Sequence, residues 1–451
     1  MCKTKVLITI GPGSSTPEIF KSLVALASGV RINTAHQSIE EHSQTIDFIR
    51  KNSDLPIVLD IKGPEIRVTL ESPLELDAGA EFEIGFSGKN FFSYDFSKET
   101  AIGAKIIFDD GKLEADLLSF GKNGAKMRAC NSHTLKSRKN VHIPLSKLAI
   151  PPLSKKDIEE IKLANDKKLE YVALSFARNA KDVLELRKRL DPGIKIIAKV
   201  ENEEGVENID EIIAASDGVM VARGDLALDI GKERVPLAQK HIIKKCNSSG
   251  KLSITATQVL ETMIHNPYPT RAEVSDIANA ILDGSDVIML SEETAMGEHP
   301  VKAVETIKAV AREVEVEAKS NVPLDNYESI SDAISKSIYT MAGLLPFNQI
   351  VSITHSGYTA RMISRFRLRN KVIAVTNSEM VRRQLGLYFG INAVFIPQIP
   401  DVKIMPTIAK FLAKKGMMGK EDLALFTAGV RTREKHASNL IEVHRVADLI
   451  D

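Results

Sequence analysis

Short apolar runs of strand length recur along the chain, separated by longer segments with helical periodicity. Most are rich in Val and Ile, and near-continuous apolarity is typical of strands that are buried on both faces of a parallel sheet. The eight runs are residues 6–10, 29–32, 56–61, 171–174, 194–200, 218–222, 252–257 and 287–290. Their alternation with helices predicts an α/β fold, a closed (β/α)8 TIM barrel, with a doubly wound sheet as the alternative.

Two helix starts between these runs are marked by capping boxes. Ser154 is followed by Asp157 and Thr270 by Glu273, each three residues later. At this spacing the two side chains can each accept a hydrogen bond from the other residue's backbone N–H group in the first turn of a helix. Both positions therefore predict helices that alternate with the strands.

The strand spacing is interrupted once, between the third and fourth runs. The intervening segment alternates apolar and polar residues at 82–86 and carries the turn signal Asp109-Asp110-Gly111. This pattern is typical of short antiparallel strands. We expect a small inserted all-β lid domain at residues 68–143, between the barrel segments 1–67 and 144–322.

A second α/β pattern begins after residue 322. Strands are predicted at 349–354, 371–376 and 423–427, with helices such as 331–345 and 405–415 between them. Pro323 and the polar stretch 326–329 form a plausible linker. Residues 323–451 are therefore expected to be a separate C-terminal α/β domain.

Overall charge and cysteine content narrow the range of partners. The 451 residues carry a formal net charge of +1 and only three cysteines, without paired spacing. From the charge, neither nucleic acid nor a membrane surface is predicted as a partner. The few unpaired cysteines favour a reducing cytoplasmic location and argue against a framework of disulfide bonds. No stretch of about 18 apolar residues indicates a transmembrane span.

Polar residues concentrate where the predicted strands end. The carboxyl ends of the strands carry the chemistry in barrel enzymes, and residues at i and i+2 of a strand share a face, as Lys199 and Glu201 do. A single pair is more often a simple salt bridge, but seven such ends on one rim favour a functional site. They are Arg31-Ile32-Asn33, Asp60-Ile61-Lys62, Ser175-Phe176-Ala177-Arg178, Lys199-Val200-Glu201, Arg223-Gly224-Asp225, Thr255-Ala256-Thr257 and Ser291-Glu292-Glu293.

The mixture of cationic and acidic side chains indicates a class of reaction. Cations suit an anionic, phosphorylated substrate, and two carboxylates with open positions suit Mg²⁺. Phosphoryl transfer depends on positioning and charge neutralisation, which such a rim supplies. Gly224 at a helix entry lets backbone N–H groups approach an anion, although a plain turn glycine is common. No Ser–His–Asp or Cys–His arrangement indicates nucleophilic catalysis.

These residues carry a resemblance to the pyruvate kinase family that extends over nearly the whole chain, in a bacterial or archaeal form without an N-terminal extension. The motifs are specific when taken together and in order. They are Thr-Ile-Gly-Pro at 9–12, Arg-Ile-Asn at 31–33, Asp-Ile-Lys-Gly-Pro-Glu-Ile-Arg at 60–67, Lys-Val-Glu-Asn at 199–202, Met-Val-Ala-Arg-Gly-Asp-Leu at 220–226, Ala-Thr-Gln at 256–258 and Pro-Thr-Arg-Ala-Glu at 269–273.

The resemblance implies a glycolytic phosphotransferase that converts phosphoenolpyruvate and ADP to pyruvate and ATP, as a cytoplasmic homotetramer. It implies that Glu201 and Asp225 bind Mg²⁺ or Mn²⁺ and that Arg31 and Lys199 contact the phosphoryl group. It further implies substrate contacts at Gly224, Asp225 and Thr257, and a protonation role for Thr257, Ser291 and Glu293. The residues implied near the nucleotide are Asn33, His36, Arg67 and Lys139.

Two features of the family are only partly present. The sequence does not decide whether Asn33, Asp60 and Ile61 form a K⁺ site, because two observations conflict. Ala35 stands where the family has a Ser ligand, which argues against the site. Glu65 is the residue type that accompanies K⁺ dependence in the family, which favours it. In the C-terminal domain, residues 354–359 resemble the family's phosphate loop. The segment 427–439 departs from its glycine-rich loop, so that a sugar-bisphosphate effector is not predicted.

Two other functions are compatible with parts of the pattern. A magnesium-dependent lyase or aldolase acting on pyruvate-type enolates would share Glu201, Asp225 and an anion pocket, but it would need neither a nucleotide site nor a lid. A non-catalytic binding protein with the same fold would not need Arg31, Lys199 and Thr257 together with both carboxylates. Coupling of turnover to ADP distinguishes the kinase from the lyase.

Overall fold

The fold is described by a computed structural model that covers residues 2–122, 124–322, 329–400, 402–429 and 438–450. Its first elements alternate strand and helix, and α2 begins at a capping box in which Ser38 and Glu41 exchange hydrogen bonds. These elements are β1 (Lys5–Thr9), α1 (Pro17–Val24), β2 (Gly29–Asn33), α2 (Ile39–Asn52) and β3 (Ile57–Ile61).

The next nine strands form the insert. They are β4 (Ile66–Thr69), β5 (Leu74–Leu76), β6 (Glu81–Gly85), β7 (Phe91–Phe92), β8 (Lys105–Phe108), β9 (Leu113–Phe120), β10 (Gly124–Ala129), β11 (His133–Leu135) and β12 (Asn140–His142). Seven of them close a small barrel in the order β10-β6-β7-β4-β12-β8-β9, and β5 pairs with β11. The insert has a hydrophobic core of its own around Phe92, Phe96 and Phe108. The predicted turn at Asp109 and Asp110 joins β8 to β9 with positive φ at both residues.

The chain then returns to the alternation of strand and helix. The elements are α3 (Lys155–Asp166), β13 (Tyr171–Leu174), α4 (Ala180–Arg187), β14 (Lys195–Val200), α5 (Glu203–Glu207), α6 (Ile209–Ala215), β15 (Gly218–Ala222), α7 (Arg223–Ile230), α8 (Val235–Ser248), β16 (Leu252–Ala256), a 3₁₀ helix (Glu261–Ile264), α9 (Arg271–Leu282), β17 (Val287–Leu290), α10 (Glu292–Ala295) and α11 (Pro300–Val314). The capping boxes predicted at Ser154 and Thr270 are both formed.

The first and last strands of this unit close it into a barrel. Lys5 of β1 lies opposite Val287 of β17 in a parallel pair, and the strand order is β1-β17-β16-β15-β14-β13-β3-β2. The predicted (β/α)8 barrel is therefore confirmed, and the doubly wound sheet is excluded because its sheet would have open edges. The parallel register places the carboxyl ends of all eight strands on one rim, with Asn33 beside Asp60, for example.

The C-terminal domain is a sheet between helices. Its elements are α12 (Ile330–Leu344), β18 (Gln349–Ile353), α13 (Tyr358–Ser364), β19 (Val372–Thr376), α14 (Glu379–Leu385), β20 (Ile391–Phe395), α15 (Ile404–Lys414), β21 (Leu423–Ala428), β22 (Leu440–Arg445) and α16 (Ala447–Ile450). The sheet order is β20-β19-β18-β21-β22, with β22 antiparallel. The sequence did not predict β20 and β22.

Parts of two sequence predictions lie outside the described residues. These are Pro323 and 326–328 of the predicted linker, and 430–437 of the C-terminal loop. Ser329, the last linker residue, caps α12 by accepting a hydrogen bond from the Asp332 backbone N–H. No helix in the described part of the chain combines the length and apolarity that crossing a membrane requires.

Contacts between the C-terminal domain and the barrel lie at the amino ends of the barrel strands. Lys5 at the start of β1 donates to the Ile391 carbonyl at 2.8 Å. Asp286, just before β17, forms a 2.6 Å ion pair with the fully buried Arg367. The C-terminal domain therefore covers the bottom of the barrel and leaves the opposite rim open to the lid.

Candidate active site

A buried line of alternating charges crosses the rim between β2 and β14. Arg31 Nε lies 2.7 Å from Asp60 Oδ2, and Lys199 Nζ lies 3.2 Å from Asp60 Oδ1 and 2.9 Å from Glu201 Oε1. Lys199 also donates to Ser175 Oγ at 2.8 Å. The spacing of Lys199 and Glu201 predicted that both point to the rim, and the structure confirms that their charged groups meet there.

Burial and mutual charge determine the protonation behaviour of this line. Burial alone would raise the pKa of Asp60, but Lys199 and Arg31 hold it below its usual range. Burial opposes the charge of Lys199, yet Asp60 and Glu201 together raise the pKa of Lys199. Burial raises the pKa of Glu201 to about 7. The Lys199 ammonium, which Asp60 also contacts, only partly offsets this rise. Repulsion from the Asp225 carboxylate adds to it.

Glu201 and Asp225 are a carboxylate pair that is suited to a cation. Glu201 Oε2 accepts a 2.6 Å hydrogen bond from the Phe176 backbone N–H, whose residue has φ of 54°. Asp225 lies in the first turn of α7, and burial raises the pKa of its carboxyl. Within the described residues, no three His, Cys, Asp or Glu side chains group as a complete metal site. A cation here would therefore need further ligands, as Mg²⁺ does when it binds substrate oxygens and water.

Thr257 and Gly224 form the next part of the rim. Thr257 has φ of 63°, an uncommon conformation for a β-branched residue, with a typical cost of about 1–3 kcal/mol. Arg223 stabilises this turn by donating to the carbonyl oxygens of Thr257 and Gln258. Thr257 Oγ1 accepts from the Gly224 backbone N–H at 2.9 Å. A Cβ on Gly224 would be in ordinary van der Waals contact with Thr257, 3.5 Å from its Oγ1.

Ser291 and Glu293 follow β17 on the same rim. Glu293 is 3% exposed and accepts backbone hydrogen bonds from Ser291 at 2.7 Å and from Leu260 at 3.0 Å. Ser291 Oγ is buried without a hydrogen-bond partner among the described residues. Glu293 thus fixes the backbone at Ser291, whose hydroxyl is a buried polar group for which a partner is expected.

Comparison with known proteins identifies the family to which the chain belongs. The model of the pyruvate kinase barrel domain matches residues 1–304, and the model of the pyruvate kinase alpha/beta domain matches residues 332–444. The chain belongs to the pyruvate kinase family. It is a phosphotransferase, as the motifs predicted.

Individual relatives agree with this family membership over the full chain. Pyruvate kinase of Bacillus licheniformis is 40% identical across 100% of this chain and 81% of its own length. Pyruvate kinase of Geobacillus stearothermophilus is 39% identical across 99% of this chain and 81% of its own length. The crystal structure of a pyruvate kinase from Cryptosporidium parvum has a TM-score of 0.91 at 34% identity, covering 99% of this chain and 96% of the other.

The residues that the pyruvate kinase resemblance implies for the nucleotide fall into two groups. Arg67 and Lys139 lie in the lid, where Arg67 pairs with Glu65 at 2.6 Å and Lys139 with Asp109 at 2.8 Å. Asn33 and His36 lie on the barrel loop after β2; Asn33 Oδ1 accepts from the Ala35 backbone N–H, and His36 is exposed.

The proposed K⁺ ligands of the pyruvate kinase rim lie side by side, and their oxygens already accept hydrogen bonds. Asp60 accepts from both neighbouring cations, and the Ile61 carbonyl accepts from Ser175 Oγ at 2.7 Å. Asn33 is the register partner of Asp60 on β2. An ion here would have to share these oxygens with their present donors.

The strand-end residues predicted from the sequence do not coincide fully with the groups that form the site. Arg178 takes no part in the charge line, since it forms an ion pair with Asp182 at 2.8 Å and donates to the Leu148 carbonyl. Sequence reasoning did not identify the Phe176 amide, or Asp229, which accepts a hydrogen bond from the turn after Glu201. The spacing of Asp229 four residues after Asp225 on one helix was the available signal.

Proposed function

We propose that this chain transfers the phosphoryl group of phosphoenolpyruvate to ADP at the rim of the larger barrel, with Mg²⁺ or Mn²⁺ held by Glu201 and Asp225. The observation that carries the proposal is the charge line itself. Three carboxylates, Asp60, Glu201 and Asp225, surround two cations, Arg31 and Lys199. This excess of negative charge suits a divalent cation, and the filled site would then carry the net positive charge that suits an anionic substrate.

Arg31 and Lys199 are the proposed contacts to the phosphoryl group. Asp60 holds both, Arg31 at Oδ2 and Lys199 at Oδ1, so one carboxylate fixes the positions of the two cations. The raised pKa of Lys199 keeps the ammonium charged across the physiological range. A fixed, buried cation stabilises charge that develops on transferring phosphoryl oxygens without reorganisation.

The divalent cation would be held between β14 and α7. When bound, it would neutralise charge on phosphoryl and enolate oxygens. The Phe176 amide orients Glu201 for this purpose, and the first-turn position of Asp225 places its carboxylate beside the Gly224 backbone. We propose that the amides of Gly224 and Asp225 bind the substrate carboxylate, which would replace Thr257 Oγ1 as the acceptor of the Gly224 N–H.

Protonation of the enolate is proposed to involve Thr257 and Ser291. Thr257 Oγ1 donates to its neighbouring carbonyl and accepts from the Gly224 amide, so it borders the proposed carboxylate site. The Ser291 hydroxyl is buried and free to bind a proton-carrying water or the substrate. Glu293 would act by holding Ser291 in place.

The nucleotide is proposed to bind between lid and barrel, with Arg67 and Lys139 on one side and Asn33 and His36 on the other. Arg67 and Lys139 are held by the carboxylates of Glu65 and Asp109, which phosphate oxygens could replace. The lid would exclude water, which otherwise hydrolyses the phosphoryl donor. We further propose a cytoplasmic homotetramer, with K⁺ shared among Asn33, Asp60 and Ile61.

A coupled assay tests this function directly. The purified full chain is mixed with phosphoenolpyruvate, ADP and Mg²⁺, and pyruvate is followed through lactate dehydrogenase, with and without K⁺. We expect pyruvate only when both ADP and the divalent cation are present. Pyruvate formation that does not depend on ADP would contradict the proposal, because the phosphoryl group would then be transferred to water and not to a nucleotide.

A further inference from the structure

The carboxylate of Asp229 accepts three hydrogen bonds beside the proposed cation site. Its Oδ1 accepts from His142 Nε2 at 3.0 Å and from the Leu145 backbone N–H at 3.2 Å. Its Oδ2 accepts from the Glu203 backbone N–H at 2.5 Å. Asp229 is 8% exposed, so these donors replace nearly all of its hydration. None of the roles described above involves this residue.

The three donors come from two separate parts of the molecule. Glu203 begins α5, two residues after Glu201, and its N–H is one of the amides that a helix start leaves unpaired. His142 ends β12, the last strand of the lid, and Leu145 lies on the return segment to the barrel with φ of 60°. Asp229 therefore links the turn after Glu201 to the exit from the lid.

Asp229 also shares a helix with the second proposed cation ligand. It follows Asp225 by four residues on α7, so the two carboxylates lie on the same side of the helix. The same helix touches the lid at a second place, because a Cβ on Gly111 in the β8–β9 turn would lie 3.1 Å from Leu228 Cδ2. Any shift of α7 would therefore change both the position of Asp225 and the contacts of α7 with the lid.

A carboxylate is the side chain that this position requires. All three neighbours donate, and an ionised Asp only accepts. An Asn would have an NH₂ group in place of one carboxylate oxygen. That group would face either the Glu203 amide or both His142 and Leu145, all of which are donors. A buried donor left unpaired in this way typically costs about 1–3 kcal/mol.

We propose that Asp229 is a positioning residue that links the divalent cation site to the lid: it fixes Glu201 through the α5 turn, fixes Asp225 through α7, and holds the lid exit against both. The inference rests on the proposed function, because the cation site itself is part of that proposal. Hydrogen-bond partners outside the ligands of a metal typically change its affinity about 10–100-fold.

Direct Mn²⁺ binding to the nucleotide-free full chain, read from the electron paramagnetic resonance of free Mn²⁺, tests the first half of the link. We expect Asp229→Asn to raise the Mn²⁺ dissociation constant about 10–100-fold, and Asp229→Glu, which keeps the charge, to recover part of that loss. The matched control is Asp217→Asn at the opposite end of the barrel. Asp217 likewise accepts a backbone N–H, from Ile196, and contacts a cation, Arg187.

Thermal unfolding separates positioning from general stability. The control variant is expected to lower Tm but to bind Mn²⁺ as the wild type does. Wild-type Mn²⁺ affinity in Asp229→Asn, or an equal loss of affinity in Asp217→Asn, would overturn the inference. If the wild-type chain itself binds no Mn²⁺, the proposed cation site fails instead, so the two failures are distinguishable.

The contact between Asp229 and the lid exit is tested by a substitution in the lid. This variant also provides a test if Asp229→Asn does not fold. His142→Gln weakens the contact to Asp229 and leaves the Glu203 bond in place. We expect faster amide hydrogen exchange in residues 140–148 and a higher KM for ADP, with a smaller change in Mn²⁺ affinity than Asp229→Asn produces. Unchanged exchange in this segment would overturn the lid half of the inference.

Discussion

Replacing Lys199 by Met removes the cation at the centre of the charge line and keeps most of the length of the side chain. Its ammonium contacts Asp60 at 3.2 Å, Glu201 at 2.9 Å and Ser175 at 2.8 Å. All three contacts would be lost. We expect the rate of phosphoryl transfer to fall about 10²–10³-fold, or roughly 3–4 kcal/mol, which is typical for the loss of one preorganised electrostatic contact.

The same substitution also affects folding. Removing one partner of a buried ion pair typically costs about 3–5 kcal/mol. Here the cost should lie near the lower end, because Asp60 keeps Arg31 and because Glu201, whose pKa is about 7, can take up a proton. A lowered Tm is therefore expected whether Lys199 acts in catalysis or only pairs with rim carboxylates, and stability alone cannot distinguish the two roles.

A comparison of two reactions makes the distinction. Pyruvate formation from phosphoenolpyruvate and ADP requires phosphoryl transfer, whereas exchange of the pyruvate methyl protons with solvent does not. We expect Lys199→Met to reduce the first much more than the second, with a smaller change in phosphoenolpyruvate binding. The control is Lys195→Met, at the other end of β14, where Lys195 pairs with Asp217 at 3.0 Å. An equal fall in both reactions would refute the reasoning.

Three further predictions concern the cation and the lid. Asp225→Ala should abolish Mg²⁺-dependent turnover with a native circular dichroism spectrum, and near wild-type activity would show that the metal assignment is wrong. Replacing residues 68–143 by a short linker should leave a folded barrel, because the lid has its own core, with little kinase activity in the coupled assay; full activity would remove the lid from the mechanism. Because the raised pKa keeps Glu201 protonated below about pH 7, the Mn²⁺ dissociation constant should rise about tenfold per pH unit below that value. A binding curve that is flat from about pH 7 to 5.5 would contradict the assignment of Glu201 as a ligand.

The fold was predictable where the sequence pattern depends on burial. The eight barrel strands are buried on both faces, so continuous runs of Val and Ile marked them within one or two residues of their observed ends. The sequence pattern did not predict β20 and β22, because neither strand is continuously apolar. Asn392 interrupts β20 with an exposed side chain, and β22 is an edge strand in which Val443 and Arg445 are exposed.

The site was predictable where neighbours in sequence are neighbours in space. Lys199 and Glu201 share one face of β14, and the structure joins their charged groups. The spacing of Asp229 after Asp225 indicates a shared side of α7, but it does not indicate contacts that depend on the packing of distant segments. Asp229 and His142 are 87 residues apart, and the Phe176 amide contributes through its backbone conformation rather than its side chain. Such contacts require the fold to be known first.

Phosphorus NMR of the purified chain tests the central claim most directly. The sample contains phosphoenolpyruvate, ADP and Mg²⁺, with Asp225→Ala measured in parallel. The account predicts that the phosphoenolpyruvate resonance is replaced by the γ-phosphate resonance of ATP, and that this occurs only in the wild type and only when ADP and the cation are both present. Release of the phosphoryl group as inorganic phosphate, or ATP formation by the Asp225→Ala variant at the wild-type rate, would contradict it.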